Sequence, residues 1–226
     1  MESLVNLDLP SPKQGRDYLK DTILIDFDGV LRHWSGTEVN DAEHKLGLDS
    51  GTLFSWAFSP QMLTPAITGS ISHEAWMQRV KVKLTYQYSD EIASQLIAAW
   101  QSASWKIDHD LLQNIQQRSP AFKLVLVTNA TSRLNSDLKE ANLDSTFDVI
   151  VNSSQINVTK PKQLFFETAL SIAGSQASDA IFIDDSLDNV NAARAMGIES
   201  IHHRITAETL EFIFAAIEDR YYQEPI

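Results

Sequence analysis

The sequence predicts an α/β protein in which a parallel sheet is covered by helices on both faces and a helical segment is inserted after the first strand. Three observations predict it. Four short runs rich in β-branched and aromatic residues read as strands: TILIDF at 22–27, FKLVLVT at 122–128, FDVIV at 147–151 and AIFID at 180–184. The runs are nearly continuous in apolar character, as parallel strands buried on both faces are. Helical patterns separate the last three, and between Trp34 and about residue 109 strand-like runs give way to helical ones.

Taken in order, residues 1 to about 20 carry early acids and two prolines without a long apolar core. They read as a loose arm, neither a signal peptide nor a membrane span. TILIDF follows, then DGVLRHW. In the helical stretch, HEAWMQRVKVKLTYQY has Ser72 as its cap, and DEIASQLIAAWQS has Ser89 or Asp90. The chain returns to the sheet at DHDLLQNIQQR. After FKLVLVT, TSRLNSDLKEANL begins with Thr131 or Ser132 as cap candidate, KQLFFETALSIAG ends on Gly174, and SLDNVNAARAMG ends on Gly197. Residues 198–202 add a fifth strand and AETLEFIFAAIED a last helix. The expected organisation is a core of residues 1–33 and 110–226, interrupted by a helical unit over 34–109.

Composition narrows the function. The chain of 226 residues has 18 Lys and Arg against 30 Asp and Glu, a formal net charge of -12. That balance disfavours a general attraction to nucleic acid or to an anionic membrane surface, and an anionic substrate would need local neutralisation. With no cysteine, disulfides, zinc-thiolate sites and a cysteine nucleophile are excluded. A cytoplasmic protein is the expectation.

In an open parallel sheet the ligand site lies beyond the carboxyl ends of the strands. Those ends carry Asp26 and Asp28, then Thr128 and Asn129, then Lys160 after the third strand, then Asp184 and Asp185. Carboxylates, a hydroxyl, an amide and an ammonium at four strand ends suit a hard cation beside a phosphate, and the oxygen donors point to Mg²⁺. The cation lets crowded carboxylates stay ionised. Asp26 is placed to act as a nucleophile that forms an aspartyl-phosphate. Asp28 is placed to protonate the leaving alcohol and later take a proton from water. Thr128, the Asn129 backbone or side-chain N–H, and Lys160 are donor types suited to the transferring phosphoryl group. Each residue alone has an ordinary structural explanation as a turn, cap or surface residue. Their joint position on one sheet edge is what points to chemistry.

These residues resemble the four motifs of the haloacid dehalogenase-like (HAD) superfamily: DFDGVL the first, LVTNA the second, Lys160-Pro161 the third and IFIDDSLDNVNAARAMGI the fourth. The resemblance implies a Rossmann-like, HAD-like core with an inserted α-helical cap domain placed directly after the first motif. It implies that Asp26 is nucleophile and metal ligand, and that Asp28 is acid/base and a metal ligand through its backbone carbonyl. Thr128 and Asn129 then bind phosphate, Lys160 bridges nucleophile and phosphate, and Asp185 binds the metal. Asp184 stands where many members have glycine and is read as an orienting neighbour of the ligands. Two departures from the pattern are Asn189, where many relatives carry another acid, and Lys162, where an aspartate is usual.

The implied activity is that of a phosphoric monoester hydrolase, a Mg²⁺-dependent phosphatase acting on a small phosphorylated metabolite such as a sugar phosphate. A helical cap that closes over the site favours small substrates. Other readings stay open: a phosphomutase; a 2-haloacid dehalogenase, although those relatives lack the second aspartate and need no metal; a phospho-receiver-like binding protein; and an idle relative. Arg32 and His33 are candidates for a substrate contact. Trp56, Trp76, Trp100 and Trp105 are read as core of the cap, and His73, His109, His202 and His203 as surface or capping residues.

Overall fold

The computed structural model describes residues 20–221. The expected arm at the N-terminus lies outside the described residues. In chain order, β1 (Thr22–Ile25) and β2 (Arg32–Trp34) lead into five helices, α1 (Glu38–Lys45), α2 (Thr52–Ala57), α3 (Pro60–Ile67), α4 (His73–Gln87) and α5 (Asp90–Gln101). Then come β3 (Trp105–Ile107), α6 (His109–Arg118), β4 (Lys123–Thr128), α7 (Leu134–Glu140), β5 (Val149–Asn152), α8 (Ser153–Ile156) and α9 (Gln163–Ala173). The described chain closes with β6 (Ala180–Asp184), α10 (Leu187–Ala195), β7 (Glu199–His202) and α11 (Thr206–Tyr221).

The five expected strands form one sheet in the order β5-β4-β1-β6-β7, with every pairing parallel. Alternation along each strand sorts the side chains onto two faces. Ile23, Ile25, Leu124, Leu126, Ile181 and Ile183 meet α6, α7 and α11 on one face. Leu24, Val125, Val127 and Phe182 meet α9 and α10 on the other, among them Phe165 and Phe166. Burial on both faces is why the sequence runs were apolar throughout. Because β1 is central and the chain leaves it toward β4 and later returns beyond it to β6, the order reverses at β1. A crevice opens there at the carboxyl ends.

The helical stretch has a core of its own, built on Leu53, Val80, Leu84, Ala93 and Leu96. Ser72 and Ser89 cap α4 and α5 as expected, each accepting from a backbone N–H at 3.2 Å. Buried Glu43 accepts from the backbone N–H groups of Gly51 and Leu53 at 2.7 and 2.8 Å, which satisfies the start of α2. The expectation that strands vanish between Trp34 and residue 109 needs correction. β2 and β3, three residues each, pair antiparallel with Arg32 opposite Ile107 and Trp34 opposite Trp105, and they form the stalk from which the helical stretch rises. Runs that short carry no periodicity, and their partners lie far apart in sequence. Thr131 and Ser132 do not cap α7 with their side chains. Ser132 Oγ accepts from the backbone N–H of His73 at 3.0 Å, and Thr131 Oγ1 lies 3.0 Å from His73 Nδ1, so both residues join the sheet to the start of α4.

Candidate active site

β1 delivers Asp26 to the crevice, and the backbone N–H of Asp26 still bonds to Ile183 O at 3.0 Å. The chain then turns through Gly29, whose φ of +83° lies in the left-handed region. A methyl group there would stand 2.0 Å from Asp185 Oδ2, so the glycine also makes room for that carboxylate. The first and fourth motifs are thus in direct steric contact.

Lys160 organises the centre. Only 3% exposed, it reaches Asp26 Oδ1 at 2.8 Å and Asp184 Oδ2 at 2.6 Å, and it donates to Val127 O at 2.9 Å. Asp184 has no exposed surface; its second oxygen accepts from Ser186 N at 2.8 Å and Asn189 Nδ2 at 2.9 Å. Asn189, the residue in place of an acid, therefore orients Asp184. Asp185 turns outward, and its carbonyl lies 2.8 Å from His202 Nε2.

The charges do not balance: two buried carboxylates share one ammonium. Burial opposes the charge on Lys160, but Asp26 and Asp184 outweigh it and raise its pKa, so the lysine stays protonated. The leftover negative charge falls on Asp26, where burial raises the carboxyl to about 7 against the pull of Lys160, with Asp184 adding to the rise. Burial and then Asp184 also raise Asp185. Carboxylate oxygens of Asp26, Asp184 and Asp185 lie within 4.8 Å of one another. All-oxygen donors with surplus negative charge fit Mg²⁺. Since Asp184 already accepts three hydrogen bonds, Asp26 and Asp185 have the oxygens free for an ion.

Asp28 is not in that cluster. Its carboxylate faces Arg32, which donates from Nε at 2.7 Å and Nη2 at 2.8 Å, and Trp34 Nε1 donates at 2.9 Å. Arg32 is 6% exposed, bonds Asp137 Oδ2 at 2.8 Å, and lies over the rings of Phe27 and Trp34. Arg133 Nε meets the other Asp137 oxygen at 2.7 Å. Of the two donors expected of Asn129, the side chain is engaged: it donates to Lys160 O and accepts from Lys160 N, both at 2.9 Å. The side-chain amide thus fixes the lysine backbone, which leaves the Asn129 backbone N–H as the donor to consider. Thr128, 1% exposed, ends β4 beside it.

A cavity of about 480 Å³ begins at Asp28, Arg32, Asn129 and Arg133 and extends under the helical stretch. Trp76 and Trp100 line it, so they are cavity wall as well as cap packing, while Trp56 stays in the cap beneath Lys83. Trp105 belongs to β3 and packs against the sheet core. His73 lines the cavity too, and His203 is buried with Nδ1 2.8 Å from Thr209 Oγ1; neither is a surface residue. Sequence reasoning passed over Trp34, Phe58, Arg133 and Asp137. The i,i+4 spacing of Arg133 and Asp137 was the one available signal for that pair.

A model of the haloacid dehalogenase-like hydrolases matches residues 69–203, and the chain belongs to that family. Asp26 and Asp28 precede the matched stretch. Among curated proteins, a sesquiterpene phosphatase of Aspergillus oryzae is 26% identical over 67% of this chain and 85% of its own length. A drimenol cyclase of Aspergillus calidoustus is 38% identical over 24% of this chain, a match that spans only 10% of that longer protein. Among solved structures, a HAD family enzyme from Bacteroides thetaiotaomicron in complex with magnesium and inorganic phosphate is 20% identical. Its TM-score is 0.66 over 82% of this chain and 94% of that one, which shows a shared fold. No described helix is long and apolar enough to cross a membrane.

Proposed function

We propose that this chain is a cytoplasmic, Mg²⁺-dependent phosphatase that hydrolyses small phosphomonoesters through an aspartyl-phosphate on Asp26. The observation that carries the reading is Lys160, held 2.8 Å from Asp26 and 2.6 Å from Asp184 on the sheet edge that also presents Asp185. A nucleophilic carboxylate beside a fixed ammonium and a pair of free acid oxygens suits phosphoryl transfer. Support comes from the relative named as a phosphatase and the solved neighbour holding magnesium and phosphate.

An Asp26 oxygen attacks phosphorus as the bond from phosphorus to the ester oxygen breaks. Asp28 gives its proton to the departing alkoxide, then takes one from the water that attacks the acyl phosphate, releasing inorganic phosphate and regenerating Asp26. Asp28 does this once its carboxylate has left Arg32 and Trp34. The Thr128 hydroxyl and the Asn129 backbone N–H donate to the phosphoryl oxygens as charge builds there, while the Lys160 ammonium, its three N–H groups held by Asp26, Asp184 and Val127 O, supplies fixed positive charge beside them. Asp26, Asp185 and the Asp28 carbonyl would hold Mg²⁺, which supplies charge neutralisation between nucleophile and phosphate. Residues 34–109 act as a cap that excludes water from the closed site.

The family name leaves dehalogenation as a second reading, in which Asp26 attacks carbon and no metal is needed. The acids Asp28 and Asp185 would then be idle. Turnover of p-nitrophenyl phosphate with Mg²⁺, lost on adding EDTA, is the expected result. Halide release from 2-chloropropionate without phosphate-ester turnover would overturn it.

A further inference from the structure

Resting on the phosphatase reading, we infer that the substrate is the monophosphate of a bulky apolar alcohol, whose hydrocarbon fills the cavity between the sheet edge and the cap. At about 480 Å³ the cavity falls within the range of small-molecule sites.

Its deep wall is aromatic and aliphatic: Phe54, Phe58, Trp76 and Trp100, with Leu63 and Met77. The rings are packed on one another, Phe54 on Phe58 at 5.3 Å and Trp76 against Trp100 at 5.0 Å, so the wall is built before any ligand enters. Trp76 Nε1 already donates to Ala57 O at 3.1 Å. Phe58 nevertheless leaves 51% of its surface exposed, apolar area that a hydrocarbon would cover.

A sugar would have to leave hydroxyls unpaired against these rings, and each buried group would lose its hydration with nothing in return. Of the polar wall residues away from the mouth, Ser104 already donates its hydroxyl to Glu38 and His73 Nδ1 lies against Thr131 Oγ1, which leaves Asn40, Gln101 and the other ring nitrogen of His73 for a polyhydroxylated ligand. The sugar phosphate expected from sequence therefore does not match this lining.

At the mouth the charges are matched. Arg32 lies between Asp28 and Asp137, and Arg133 pairs with Asp137. Wherever the Asp28 carboxylate turns, the two lining guanidiniums stand beside two carboxylates, and a second phosphate would meet no net positive charge. That limits the head group to the one phosphate received at Asp26 and Lys160.

The test uses the full chain with Mg²⁺ and two probes, butylphosphonate and octylphosphonate, whose carbon–phosphorus bond is not hydrolysed, so binding is read apart from turnover. Burial of each added methylene should tighten binding roughly twofold to fourfold, giving octyl at least a tenfold advantage over butyl. Phe58→Ser, at a half-exposed position, should cut that advantage several-fold. The esters should follow the same order in kcat/KM, with octyl phosphate above butyl phosphate and glucose 6-phosphate last. Equal affinity for the two phosphonates, with p-nitrophenyl phosphate turnover intact, would overturn this inference alone. Absence of p-nitrophenyl phosphate turnover would overturn the phosphatase reading and this inference together.

Discussion

Arg32 holds Asp28 through two parallel hydrogen bonds, Nε to Oδ1 at 2.7 Å and Nη2 to Oδ2 at 2.8 Å, while its third nitrogen binds Asp137. The planar fork thereby ties the loop after β1 to α7 across the mouth of the cavity. A lysine supplies one point charge and cannot satisfy both acids in this geometry. Arg32→Lys is therefore expected to lower stability by about 1–3 kcal/mol. Urea denaturation checks it. An unchanged midpoint would show that the fork contributes nothing.

Metal binding is expected to depend on Asp185 and on the room Gly29 gives it. Asp185→Ala should weaken Mg²⁺ affinity at least tenfold by calorimetry and leave the fold intact, because the side chain faces outward. Gly29→Ala forces a methyl into the 2.0 Å gap beside Asp185 Oδ2 at a φ of +83°, and should lose Mg²⁺ affinity in the same way. Asp184→Ala should behave differently. It strips the partners of Lys160, Ser186 and Asn189 from a fully buried position, so the loss falls first on stability, by about 3–5 kcal/mol. Affinity falling more in Asp184→Ala than in Asp185→Ala would exchange their roles.

The surplus charge at Asp26 gives a pH signature. Folding raises this carboxyl from 3.8 to about 7, so between those values the native state binds the proton that the unfolded state has released. Stability of the metal-free protein therefore falls as pH rises from about 4 to 7, and Mg²⁺, which displaces the same proton, binds more tightly across the upper part of that window. Thermal melts at pH 5.5 and 7.5, with and without Mg²⁺, should show the larger metal-induced stabilisation at pH 7.5. Asp26→Asn should flatten the difference, and an equal gain at both pH values would contradict it.

Lys160→Ala is expected to reduce kcat by on the order of a hundredfold or more, since it removes a fixed positive charge from a partly dry site. It also leaves Asp26 facing Asp184 with no ammonium between them, so the variant should recover stability at acid pH or in Mg²⁺. Unchanged kinetics would make Lys160 a purely structural partner of the acids.

The parallel sheet and its edge were legible because burial on both faces leaves continuous apolar runs, and because a strand end is where those runs stop. That placed Asp26, Asp184 and Asp185 together, whereas Lys160 lies beyond α8 and not at the end of β5, so its place came from the motif set. The Asn189 contact with Asp184 and the Asn129 clamp on Lys160 were not legible, since an amide at a turn is ordinary until its partner is known. β2 and β3 were invisible for a related reason: three-residue strands gain their meaning from a partner on the far side of the helical insertion. The tryptophans show the limit most clearly. Trp76 is 4% exposed and sits in the cap core, yet the same ring also faces the cavity. Periodicity places such a residue inside without saying which of its surfaces meets empty space.

The central claim is that phosphorus is transferred to Asp26. Rapid acid quenching of the full chain during turnover of p-nitrophenyl phosphate with Mg²⁺, followed by mass analysis of its peptides, tests it most directly. One phosphoryl group on the peptide carrying Asp26, absent from Asp26→Asn and enriched in Asp28→Asn because hydrolysis of the acyl phosphate slows, is the predicted result. Product formation at an undiminished rate by Asp26→Asn, with no phosphorylated peptide in either protein, would contradict it.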